Sequence, residues 1–163
     1  MKTLRTGSLL AILGAALVAG TALAEPPTAS PAGTQSVTLP TGKTVDAQKF
    51  VEPAEGSLEH GIIASMNLIK AGSFDAYISQ WCHANTCPDA AAITSLKTYQ
   101  LKSSQKTVHE CMTEDGGILV TKREANEAEG STRVYVFCGP NRMPAPSSLI
   151  LVGEAWKVAS FSW

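Results

Sequence analysis

Ser148-Leu149-Ile150-Leu151-Val152-Gly153-Glu154-Ala155-Trp156-Lys157-Val158-Ala159-Ser160-Phe161-Ser162 decides how the chain folds. Two runs rich in β-branched, aliphatic and aromatic residues flank Gly153-Glu154, the pattern of two strands joined by a tight turn. Working backwards, residues 132–138, 118–124 and 107–112 carry the same composition and read as three further strands. Glu114-Asp115-Gly116-Gly117 is a turn signal between 107–112 and 118–124, and residues 125–131 are a longer polar loop between 118–124 and 132–138. Residues 139–146, with Pro140, Pro144 and Pro146, read as a rigid, non-repetitive connection.

Upstream the period changes from two to between three and four. Leu58, Ile62, Met66 and Ile69, with Ile63 widening the stripe, predict a helix capped by Ser57 and ended by Gly72. Ser73 starts a second helix, in which Phe74, Tyr77, Ile78 and Trp81 form one apolar face. Pro88 and Asp89 open a third, with Ala92, Ile93, Leu96 and Tyr99 on one side. Helices followed by a run of strands closed by short turns predict an α+β domain, with helices packed on an antiparallel sheet.

The start of the chain reads differently. Lys2 and Arg5 precede an apolar run from Leu9 to Ala19, and Ala22-Leu23-Ala24 supplies a small-residue exit. Basic flank, short apolar core and such an exit predict a signal peptide over residues 1–24, hence an exported protein, periplasmic or extracellular. The run is shorter than the roughly 20 residues a membrane span needs, so no span is expected after signal removal. Loss of Lys2 and Arg5 leaves 11 basic against 14 acidic residues, a net charge of −3. That balance offers no basis for a nucleic-acid partner. Residues 25–56 are expected to be a Pro/Ala/Thr-rich leader, flexible to Gly33. Ser36–Leu39 and Thr44-Val45 around Pro40-Thr41-Gly42-Lys43 would make a small hairpin or an arm on the domain. A single domain then fills residues 57–163.

Cys82, Cys87, Cys111 and Cys138 all lie beyond the signal. An even count in an oxidising compartment predicts two disulfides, and four cysteines allow three connectivities. Cys82–Cys87 with Cys111–Cys138 is favoured, the first stapling a short loop and the second joining two predicted strands across a longer one. Zinc is the competing reading, because His83 and His109 neighbour cysteines. Structural zinc sites use a second tight pair, which Cys111 and Cys138 do not form, so neither metal nor cofactor is expected.

The order of three helices and a meander, closed by Glu154-Ala155-Trp156-Lys157-Val158-Ala159-Ser160-Phe161-Ser162, resembles the nuclear transport factor 2-like superfamily. Phe74-Asp75-Ala76-Tyr77 after Ala71-Gly72 is similar to the second helix of that superfamily. The resemblance covers about residues 57–163. It implies a curved sheet wrapped around helices as a cone, with a pocket between them that is catalytic in some members and not in others.

On a strand over 107–112, His109 and Glu110 would face opposite sides. If Val108 and Met112 face the core, Glu110 points inward as a general-base candidate; with the other face inward, it is His109. Charged residues more commonly sit in solvent, and that is the competing reading. Tyr77, Trp81, Tyr99, Tyr135 and Trp156 could line a ligand pocket or serve as core. Lys122, Arg123 and Arg133 read as a solvated basic edge. Gly-x-Ser-x-Gly, His-Glu-x-x-His, P-loop and dinucleotide motifs are absent. The leading expectation is therefore a small, non-catalytic exported domain that binds a small molecule or a protein. A structural or envelope-associated protein comes second, and a small isomerase, dehydratase or hydrolase third.

Overall fold

Packing of one amphipathic helix across one face of a six-stranded sheet organises the chain. In a computed structural model, residues 27–163 are described; the predicted signal peptide lies outside them. The elements run β1 (Gly33–Thr38), β2 (Thr44–Phe50), α1 (Leu58–Lys70), α2 (Phe74–Trp81) and α3 (Ala90–Ser95). A π-helical turn (Leu96–Leu101), α4 (Lys102–Thr107) and a 3-10 turn (Val108–Cys111) follow. β3 (Ile118–Asn126), β4 (Ser131–Val136), β5 (Ala145–Val152) and β6 (Ala155–Phe161) complete the chain. All six strands pair antiparallel in sequence order, so this is an α+β fold with a meander sheet.

The predicted stripe of α1 is its buried face: Ile62, Met66 and Ile69 are fully enclosed, with Leu58 and Ile63 beside them. They meet Phe50, Val120, Val134, Val136, Leu149 and Val158 from five strands, and Leu101 and Val108 from the third helical region. Residues 33–50 form a hairpin that extends the sheet N-terminally. Leu39 and Lys43 close its turn through a backbone hydrogen bond of 2.9 Å, with Gly42 in the left-handed region.

Three local readings need correction. The segment 107–112 is not a strand: it ends α4 and continues as the 3-10 turn. Leu101, Ser104, Val108 and Cys111 are all buried at spacings of three and four, a helical face that outweighs the alternation of Val108, Glu110 and Met112. Second, Tyr99 does not lie on the buried side of the third helix. The wider π turn advances the face from Leu96 to Leu101, five residues on, and leaves Tyr99 73% exposed. Third, Ala145 and Pro146 belong to β5 rather than to the loop before it. β6 pairs with β5 only from Ser147 onward, so the missing N–H of Pro146 breaks no ladder bond there.

Both favoured disulfides are present, Cys82–Cys87 and Cys111–Cys138. The second joins the 3-10 turn to the chain just past β4, instead of two strands. The first closes a loop that lies along the outer edge of β6: Cys82 bridges Val158, and the His83 N–H donates to the Val158 carbonyl at 3.0 Å. The Thr86 hydroxyl donates to the Ala159 carbonyl beside it.

The turn before β3 is fixed to β2 in two ways. A Cβ on Gly117 would stand 2.2 Å from the Phe50 carbonyl oxygen, so only glycine permits this approach. Lys49 Nζ lies 2.5 Å from Asp115, which also accepts from the Thr113 hydroxyl at 2.5 Å. Lys49 first, and then Thr113, hold the Asp115 carboxyl down to about 2. A depressed carboxyl contributes stability above its unfolded value of about 3.9, and the contribution is lost as pH falls through the folded value. Asp115→Asn should therefore lower the melting temperature at pH 7, and the two proteins should converge near pH 2. Parallel melting curves at both pH values would contradict this. Chain entropy gives the longer Cys111–Cys138 loop about 3.5 kcal/mol and Cys82–Cys87 about 2 kcal/mol. Urea unfolding of the two double Cys→Ala variants should rank them in that order.

Candidate functional site

The site grows from the first turn of α1. Ser57 caps the helix, its hydroxyl accepting from the His60 N–H at 3.3 Å. This sets Glu59 and His60 on adjacent faces of the same turn. Glu59 faces inward and is 2% exposed, three and four residues before Ile62 and Ile63 on the core stripe. Its carboxylate stands 2.6 Å from an Arg123 guanidinium nitrogen. The alignment makes no hydrogen bond, so the contact is ionic.

Arg123 reaches that position through a β-bulge. Val120 pairs with Val136, but Lys122 pairs with Tyr135 and Arg123 with Val134, so one extra residue reverses the alternation of β3. Directly opposed residues share a face, which puts Arg123 on the core side with Val134. Its guanidinium lies 5.0 Å from the centre of the Phe50 ring. The expected basic edge is thus divided, with Arg123 inside and Lys122 and Arg133 on the outer face.

Trp81 and Trp156 arrive from different elements. Trp81 ends α2, and its ring edge would sit 3.0 Å from a Cβ at Gly61, so the glycine lets the indole lie against α1. The His60 and Trp81 rings meet edge-on, 6.0 Å between centres. Trp156 opposes Leu151 on β5, two residues along from the buried Leu149–Val158 pair, and so lies on the core face at the end of the sheet. Between them opens a cleft of about 410 Å³, lined by Glu55, Ser57, His60, Trp81, Glu154 and Trp156 among others. A smaller hollow of about 190 Å³ lies on the other flank of Trp156, with Pro27, Glu59, Arg123 and Thr132 in its wall. His60 Nδ1 and both indole nitrogens are buried without hydrogen-bond partners.

Two of the five aromatic candidates, Trp81 and Trp156, therefore come together. Tyr77 lies in the core, in edge contact with Phe161 at 5.9 Å; burial pushes its hydroxyl well above the usual tyrosine range. Tyr99 projects from the π turn into solvent. Tyr135 lies on the outer sheet face, donating to Glu124 at 2.8 Å with Lys122 Nζ over its ring. Lys122 and then Tyr135 hold the Glu124 carboxyl below its usual range. Larger hollows of about 580 and 420 Å³ lie on this outer face. Polar side chains already engaged with one another border them, as in the 3.4 Å contact of Arg133 with Ser148.

His109 and Glu110 are exposed on the 3-10 turn, and Glu110 pairs with Arg142 at 3.1 Å. Neither lines the cleft. Among the described residues no group of three or more His, Cys, Asp or Glu could hold a metal ion, and no helix is long and apolar enough to cross a membrane. Sequence reasoning does not single out Glu59 or His60, and it places Arg123 on a solvated edge rather than in the core. A signal for Glu59 existed: a carboxylate seven residues before Met66, within an otherwise apolar stripe. Arg123 had none, because a bulge leaves no mark in the alternation.

The Glu59–Arg123 pair predicts an asymmetric response. Arg123→Met strands a buried carboxylate and should cost about 3 kcal/mol, the lower end of the usual range because the guanidinium is partly solvated. Adding Glu59→Met should recover at least about 1 kcal/mol of that loss in urea unfolding. Additive losses would show that the two groups are not coupled. In comparisons with known proteins the chain matches no family model, no curated protein and no solved structure.

Proposed function

We propose that this chain is an exported, non-catalytic domain with a nuclear transport factor 2-like cone, binding a small ligand in the cleft between Trp81 and Trp156. The observation that carries the reading is the convergence of two indoles, from the end of α2 and from β6, on one cleft beside the first turn of α1. Its volume of about 410 Å³ falls within the roughly 300–1,000 Å³ usual for small-molecule sites. The cone reading draws support from bulges in β3 and β6, since bulges bend and twist the strands that carry them. Two disulfides are consistent with an oxidising, exported setting. The enzyme reading has less support, with His109 and Glu110 in solvent and the carboxylate of Glu59 engaged by Arg123.

Native mass spectrometry of the protein from its own exporting cells should detect a bound small molecule. Ala64→Trp, which fills the wall of the cleft, should remove it while both disulfides and the far-ultraviolet spectrum persist. Retention of the molecule by this variant would place it elsewhere, and a wild type with no adduct would count against the reading.

A further inference from the structure

The walls of this cleft have a chemical bias. Two indoles line it, and their ring nitrogens are buried without hydrogen-bond partners. With those N–H groups buried, what the indoles have left to offer a ligand is ring carbon and the π system it carries. The charged lining groups are the carboxylates Glu55, before α1, and Glu154, in the β5–β6 turn. His60 is the remaining titratable lining group, and no Lys or Arg lines the cleft. The neighbouring ammonium of Lys157 is engaged by the Gln80 backbone carbonyl. Glu59, behind Trp156, is neutralised by Arg123.

From these walls we infer that the ligand is an organic cation, a substituted ammonium held against the indoles with its charge toward Glu55 and Glu154. This rests on the cleft being the binding site. An anion would meet two carboxylates and no Lys or Arg, and a neutral apolar ligand would leave both carboxylates unused. Aromatic faces joined with acidic groups are the arrangement that attracts quaternary and alkylated ammonium ions.

The test uses choline and its neutral isostere 3,3-dimethylbutan-1-ol, which differ only by carbon in place of N⁺. Both are titrated into the oxidised protein while the three indole N–H resonances are followed. Choline should bind about tenfold or more tightly than the isostere. It should shift the Trp81 and Trp156 signals and leave that of Trp163, which packs on Phe161, in place. Glu55→Gln with Glu154→Gln should weaken choline about tenfold and leave the isostere unchanged. Trp156→Leu should weaken both. Equal affinity for the two probes would overturn the cationic assignment while sparing the cleft; no shift with either at millimolar concentration would overturn both. Phosphocholine separates the sources: binding tighter than choline assigns the cation to a lipid headgroup, and weaker binding assigns it to a free ammonium.

Discussion

Everything else in the domain depends on α1 burying one stripe against one face of the sheet. Ile62, Met66 and Ile69 meet residues from β2 through β6, so a single helix joins strands distant in sequence into one core. That contact fixes which residues of each strand point inward, because successive side chains alternate. It also fixes where the helix begins. The first turn of α1 falls at the margin of the sheet, where packing gives way to an open cleft and a buried charge pair.

Legibility followed from whether a local period survived into the fold. The stripe of α1 is regular for three turns and was read residue by residue. Two of the misreadings come from one inserted residue each. The bulge after Val120 turned Arg123 inward, and the π turn after Leu96 turned Tyr99 outward. Segment 107–112 satisfied both periods, and only the long-range enclosure of Leu101, Val108 and Cys111 decided between them. Trp81 and Trp156 could be named as candidates, but their convergence depends on α2 crossing α1 at Gly61, which no spacing reveals.

The two disulfides play different structural parts. Cys111–Cys138 holds the last helical turn against the end of β4 across a long stretch of chain, buried within the core. Cys82–Cys87 closes a small loop and shapes it so that Cys82, His83 and Thr86 all meet β6. Trp81 directly precedes that loop, so the loop that protects the sheet also ends the helix presenting one wall of the cleft.

Protection of β6 has a consequence for assembly. Among the described residues β1 pairs only with β2, so its outer hydrogen-bonding groups form an open border, whereas the opposite border is engaged at Val158 and Ala159 by the chain's own loop. A sheet with one open border can join a second copy only border to border, and that union closes on itself as a pair. With both borders open, each added copy would offer a fresh place for the next. The six-residue loop therefore withdraws part of one border from such joining, because the carbonyls of Val158 and Ala159 already accept from the chain's own loop.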